Sequence, residues 1–267
     1  MRPNRLADGA VHLWWINLDT GLADTSALSM PELERARGFR TERGRARYVV
    51  AHAAVREILA HYADTDAASL SIVSQPHGKP CLAATPAGPT VPAFSLSRSG
   101  DWAVLAVTQD SEIGVDLEID GSVPDRAAML AALTPNERDA AAMLDDDALT
   151  SAFRVAWTRK EACLKAAGIG FAVDPSEVEV SLDGAPCSIR VPSAPGASLV
   201  YGSLPVHVVT LAPNQGRTVS LARVGVPITT AQVVQFDMSR YHSLPSRHKT
   251  NPINKSGAFK CAESLQS

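Results

Sequence analysis

With 267 residues, 45% of them apolar and 20% charged, the chain has material for one large core or two small ones. A formal net charge of -3 and a pI near 6.2 argue against a nucleic-acid or membrane partner. The four cysteines, Cys81, Cys163, Cys187 and Cys261, include no C-x-x-C pair, which excludes a thiolate metal framework and a disulfide scaffold and suits a reducing cytoplasm.

The opening MRPNRLADGAVHLWWINL has no long apolar stretch behind its charges and does not read as a signal peptide. Within it, residues 10–18 read as a strand. Six arginines (35, 37, 40, 43, 45, 47) follow within thirteen residues. A solvated face, a nucleic-acid arm and a pocket for a small polyanion all fit them, and the acidic balance of the chain disfavours the second. A helix is predicted from about Gly44 to Tyr62, because Tyr48, His52, Val55, Leu59 and Tyr62 step by four and three. QPHGKP at 75–80 reads as a turn, and FSLSRSG at 94–100 as a polar turn whose Ser97, Arg98, Ser99 and Gly100 would suit an anion.

Residues 102–108 and 112–119 alternate as strands, and the short Gln109–Ser111 link predicts an antiparallel hairpin. In GVDLEID, 114–120, the apolar Val115, Leu117 and Ile119 alternate with Asp116, Glu118 and Asp120, so three carboxylates share one face. A half-solvated edge strand would tolerate this, and a divalent cation would explain it. Helices are predicted near 125–133, from Pro135 behind a capping Thr134, and over 151–167, stopped by Gly168. On the last helix Glu161 and Lys165 stand one above the other beside Trp157, while Lys160 falls on the otherwise apolar stripe. A lysine there either snorkels outward or meets an anion. Short strands are predicted at 177–182, 186–191, 206–211 and 218–224. The uncharged span around 191–216 is broken by four prolines and is no membrane helix. From about Asp237 the sequence turns polar and turn-rich, and we expect a poorly ordered tail.

No G-x-S-x-G, G-x-x-x-x-G-K or G-x-G-x-x-G occurs. Carboxylates for a hard cation and scattered Arg and Lys for phosphates together suit a magnesium-bound pyrophosphate. The ordered set GKP, FSLSRSG, GVDLE and WTRKEACLKAAG resembles the 4′-phosphopantetheinyl transferases, the larger surfactin-type group in particular, from about Leu28 to Gly170.

The resemblance implies an α/β (α+β) fold of two similar, pseudo-symmetric halves, with an N-terminal half at 1–109, a C-terminal half at 110–230 and a tail at 231–267. It implies transfer of the phosphopantetheine arm of coenzyme A to a serine of an apo acyl or peptidyl carrier protein, with release of 3′,5′-ADP, by a cytoplasmic monomer that binds neither nucleic acid nor membrane. A catalytically impaired module holding coenzyme A or a carrier is the alternative. By resemblance, Asp116, Glu118 and Glu161 are Mg²⁺ ligands, with Glu161 also the general base. Lys165 meets the pyrophosphate, with Lys160 beside it. Gly78, Lys79 and Pro80 lie near the nucleotide, Arg47 meets the 3′-phosphate with Arg35 as helper, and Arg98 and Ser99 lie at the pyrophosphate. Arg98 and Ser95 depart from the family's usual histidine and asparagine. Asp120 is left as a solvated residue. Met129, Leu130 and Leu133 are an expected docking face for the carrier, with core packing as the other reading.

Overall fold

The computed structural model describes residues 6–83, 91–121, 124–192, 203–211 and 215–240. Two four-stranded sheets are built the same way. In the first, β1 (Val11–Asn17) leads through α1 (Met30–Arg37) and the 22-residue α2 (Glu42–Ala63) to a hairpin of β4 (Ala93–Ser99) and β5 (Trp102–Thr108). In the second, β6 (Ile113–Ile119) leads through α3 (Arg126–Ala131), α4 (Pro135–Ala141) and the 22-residue α5 (Asp146–Ala167) to β7 (Cys187–Pro192) and a hairpin of β8 (Ser203–Thr210) and β9 (Arg217–Val224). The hairpin's second strand pairs antiparallel with the opening strand in both cases, β5 with β1 and β9 with β6. The two halves are therefore similar in topology. A small hairpin of β2 (Ile72–Ser74) and β3 (Pro80–Leu82) lies between α2 and β4.

Each long helix is capped at both ends. Thr41 and Asp145 accept first-turn N–H groups, and Asp64 and Gly168 close the helices in the left-handed conformation. Helix α5 starts at Asp146, not 151, because Asp145 supplies that cap. α2 covers the first sheet through Val50, Ile58 and Leu59 against Trp14, Phe94 and Leu105, and α5 covers the second through Phe153, Ala156 and Leu164. A third apolar layer, with Leu13, Val104, Val115, Leu117, Val219 and Leu221, lies between the sheets. Among the described residues no helix is long and apolar enough to cross a membrane.

Four expectations need correction. The 102–119 hairpin does not form: β5 has both edges taken by β1 and β4, and β6 pairs with β9 instead. Between them, Asp110 ion-pairs with the fully buried Arg223 of β9 and fixes the crossing from sheet to sheet. FSLSRSG is strand β4 rather than a turn. The strand expected at 177–182 finds no partner among the described residues. Val178 and Val180 are buried, and Val180 N–H donates instead to Glu137 Oε1 on α4 at 2.7 Å. Finally, 231–240 belongs to the fold. β10 (Val233–Asp237) adds parallel to β1, and Met238 is buried, while the rest of the expected tail, 241–267, lies outside the described residues.

Candidate active site

The site is built where β4 and β6, edge strands of different sheets, run side by side. No backbone ladder joins them. Serines at every second position of β4 do so: the hydroxyls of Ser95, Ser97 and Ser99 accept the N–H groups of Val115, Leu117 and Ile119 at 3.1, 3.2 and 3.3 Å. Ser97 and Ser99 then donate to Asp116 Oδ1 (2.7 Å) and Glu118 Oε2 (3.0 Å), which fixes both carboxylates. The strand period of two puts all three serines on one face of β4.

Helix α5 closes the site from above. Gly114 permits this, since a Cβ there would lie 1.9 Å from the carbonyl oxygen of Ala162 and 2.5 Å from the amide nitrogen of Ala166. Strand and helix backbones touch at that point, and Glu161 and Lys165 descend on the face where Asp116 and Glu118 stand. Lys165 Nζ donates to Asp116 Oδ1 at 2.6 Å and to Ser97 Oγ at 3.3 Å. Asp116 Oδ2 and Glu161 Oε1 are buried and have no hydrogen-bond partner among the described residues.

The three acids perturb one another. Burial raises the Asp116 pKa against the pull of Lys165. Burial, then the Asp116 charge, raises that of Glu118. Glu161 is pushed up to about 7, chiefly by burial, with Asp116 and Glu118 adding to the shift and Lys165 opposing it. Two orphaned carboxylate oxygens facing a third acid are hard oxygen donors short of positive charge, a donor set that suits Mg²⁺. In this conformation the Lys165 ammonium is the cation on Asp116, and among the described residues no three acid, imidazole or thiol groups stand close enough together to hold a metal ion.

A cleft of about 350 Å³ opens beside Glu118, lined by Ile119, Pro124, Ala128, Ala132, Phe153 and Trp157 among others. Met129 and Leu133, expected as a docking face, are 4% and 1% exposed and belong to the α5 core, so the packing reading holds for them.

Other candidates go elsewhere. Lys160 is fully buried, paired with Glu137 at 2.6 Å and donating to the Pro175 carbonyl at 2.9 Å. It ties α5 to α4 and does not reach the cluster, so its assignment to ligand binding is withdrawn. Gly78 adopts φ +86° in the β2–β3 turn, beside Lys79 and Pro80. Lys79 ion-pairs with Glu112 at 2.5 Å and donates to the Ala166 carbonyl at 3.3 Å, at the C-terminal end of α5. Arg98 is exposed and alternates with Ser97 and Ser99, so it faces away from the acids and lies near Tyr48 of α2. Arg47 and Arg43 share the carboxylate of Asp19, and Arg47 Nη1 donates to the Gly100 carbonyl at 2.8 Å, one residue from Ser99. Arg35 lies in the last turn of α1, away from Asp19 in chain and contact alike. Asp120 pairs with Arg154 at 2.5 Å while 59% exposed.

Sequence reasoning missed Gly114, Asp19 and the bridging role of the serines. A glycine inside a strand and serines at period two were the available signals.

A family model described as the 4′-phosphopantetheinyl transferase superfamily matches residues 112–209, from the start of β6 into β8. The chain is 34% identical over 186 residues to 4′-phosphopantetheinyl transferase HetI of Nostoc sp., covering 67% of this chain and 78% of that protein. It is 30% identical over 144 residues to slr0495 of Synechocystis sp., covering 54% and 58%. It is 29% identical over 193 residues to a phosphopantetheinyl transferase of Thraustochytrium sp., covering 65% and 66%. With 34% of the aligned residues identical across 78% of HetI, and with the acids and lysine of its own sequence motifs gathered on β6 and α5, the chain belongs to the 4′-phosphopantetheinyl transferase superfamily and is an enzyme of that kind.

Proposed function

We propose that this enzyme moves 4′-phosphopantetheine from coenzyme A to a serine of an apo carrier protein and releases 3′,5′-ADP. The supporting observation is the convergence of Asp116, Glu118, Glu161 and Lys165, with two carboxylate oxygens buried and unpartnered. Asp116, Glu118 and Glu161 would hold Mg²⁺, which when bound neutralises diphosphate charge and polarises the phosphorus under attack. The serine hydroxyl of the carrier forms the new bond to the phosphorus bearing pantetheine, and the bond to the departing 3′,5′-ADP oxygen breaks. Glu161 accepts the serine proton at a carboxylate oxygen. Lys165 leaves Asp116 to meet the diphosphate, where its ammonium offsets the charge that develops on the leaving oxygen. The cleft beside Glu118 takes the pantetheine arm, with Phe153 and Trp157 offering apolar walls.

The test is incubation with coenzyme A, Mg²⁺ and a panel of apo carriers, read by mass spectrometry, with a metal-free arm containing chelator. Asp116→Ala, Glu161→Ala and Lys165→Ala are each expected to lower turnover at least about 100-fold. Wild-type turnover in any one of them removes that residue from the scheme, and full activity in chelator removes the metal.

A further inference from the structure

Helix α2 carries Arg43 and Arg47 four residues apart, on one face of its first turns. Two guanidinium groups so placed repel, and each long side chain has rotamers that would take it away. Asp19 prevents both. Its Oδ1 accepts Arg47 Nε at 2.6 Å, and its Oδ2 accepts Arg47 Nη2 at 2.7 Å and Arg43 Nη2 at 2.8 Å. The charge-assisted bonds hold the Asp19 carboxyl well below the usual range, so it is ionised at any working pH.

Asp19 is itself set in a built turn. Asn17 Oδ1, at the end of β1, accepts the N–H groups of Asp19 and Thr20, both at 3.0 Å. Leu18 N–H donates to the Asp101 carbonyl at 2.8 Å. Gly21 is pressed against the helix, where a Cβ would come within 2.4 Å of Val50 Cγ1. The other side of Arg47 is anchored too, through Nη1 on the Gly100 carbonyl. The next residue back, Ser99, holds Glu118. Two hydrogen bonds, on either side of the Ser99–Gly100 peptide, thus join the arginine pair to the acid cluster.

Asp101 acts on Arg47 as well, so the two guanidinium groups stand against two carboxylates, but Arg43 remains 72% exposed. A guanidinium has five N–H donors. Three of Arg47's are committed by these bonds and one of Arg43's, so both retain donors for an incoming oxyanion.

Resting on the transfer reading above, we propose that Asp19 is a positioning residue that locks Arg43 and Arg47 into a ready-made reader for the 3′-phosphate of coenzyme A, and so sets the preference for coenzyme A over its 3′-dephospho form. Asp19 does not touch the substrate. It removes the ordering cost of two rotamer-rich side chains before the ligand arrives, and its loss returns that cost to the binding step.

The experiment compares the wild type with the near-isosteric Asp19→Asn and with Arg43→Gln, an exposed position where folding is not at stake. Kinetics with coenzyme A and 3′-dephospho-coenzyme A give the ratio of their kcat/KM values. Asp19→Asn is expected to lower that ratio about tenfold, through KM rather than kcat, and Arg43→Gln to lower it several-fold. A purely structural defect would depress both substrates alike and leave the ratio unmoved. Ratios within twofold of wild type in both variants overturn the proposal. So does a ratio that rises in Asp19→Asn, which would make Asp19 a competitor of the phosphate. A wild type that uses both substrates equally also overturns it while leaving the transfer reading intact. Calorimetry with 3′,5′-ADP and 5′-ADP on the same proteins reads the same preference without any turnover. A failure of transfer itself is thereby separated from a failure of Asp19.

Discussion

Gly114→Ala is the most direct challenge to the way the site is assembled. Glycine is required at this position by contact and not by backbone conformation, since its φ is not among the positive ones. The added methyl would sit 1.9 Å from the Ala162 carbonyl oxygen, where ordinary contact begins near 3.4 Å. Both obstructing atoms are helix backbone and cannot rotate away, so α5 must retreat by about 1.5 Å or β6 must bow by as much. A rigid retreat takes Lys165 from 2.6 Å to about 4 Å from Asp116 and lifts Glu161 with it. A displacement of about 1 Å at a reacting constellation can cost roughly 100-fold in rate. Overpacking of this kind costs about 1–3 kcal/mol, and at this chain length each kcal/mol is worth roughly 2–4 °C of melting temperature. The assays are mass-spectrometric transfer to an apo carrier and a thermal melt, with activity expressed per folded molecule. Loss of about two orders of magnitude in turnover, alongside a lowered melt, is expected. A variant that melts lower but turns over at the wild-type rate would refute the claim that close approach at Gly114 is what places Glu161 and Lys165.

Two further outcomes follow from charges buried on α5. Lys160→Met leaves Glu137, 3% exposed, without its cation, and breaking one side of a buried pair costs about 3–5 kcal/mol. The melting temperature should fall sharply while the KM for coenzyme A stays at the wild-type value, and a raised KM in folded protein would return Lys160 to the substrate site. Glu161 has a folded pKa near 7 against an ordinary 4.5, so the folded state holds this proton more tightly than the unfolded chain does. Its stabilising contribution is therefore complete below about pH 4.5 and lost as pH rises through about 7. In chelator, Glu161→Gln should flatten the fall of the melting temperature across that window, and an unchanged slope would mean that Glu161 is not buried among like charges.

What could be read from the sequence was what is encoded locally. The step of four and three in α2, the Thr134 cap, the Gly168 stop and the alternation in β6 each involve residues a few positions apart, and each was found where expected. Strand partners are a different matter. The β5 and β6 patterns say that both are strands, but the choice between a hairpin and a change of sheet depends on β1, which occupies the β5 edge from some ninety residues upstream, and on β9, a hundred residues downstream of β6. FSLSRSG reads as a turn because serine and glycine are common turn residues. In the fold its hydroxyls replace a missing backbone ladder, a use visible only once Val115, Leu117 and Ile119 present their N–H groups to it. β10 escaped notice for the same reason, since five half-exposed residues gain their strand identity from β1 alone.

The candidate site was legible to the same degree, and the helix period alone separates its two lysines. At about 100° per residue, Glu161 and Lys165 lie only about 40° apart around α5, whereas Lys160 and Lys165 are separated by about 140°. One helix face meeting one strand cannot hold both lysines. Of the two faces, the one toward β6 carries Glu161 and Lys165 because Gly114 admits the helix there. The face toward α4 carries Lys160, and Glu137 is the anion that a lysine on an apolar stripe requires. Glu137 could have been anticipated as well: it sits at the third position behind the Thr134 cap, where its carboxylate accepts the Thr134 N–H at 2.8 Å and is held for Lys160. The lysine next to the acid in the sequence thus secures the helix that presents the acid, and the lysine one turn further on stands on Asp116 of β6.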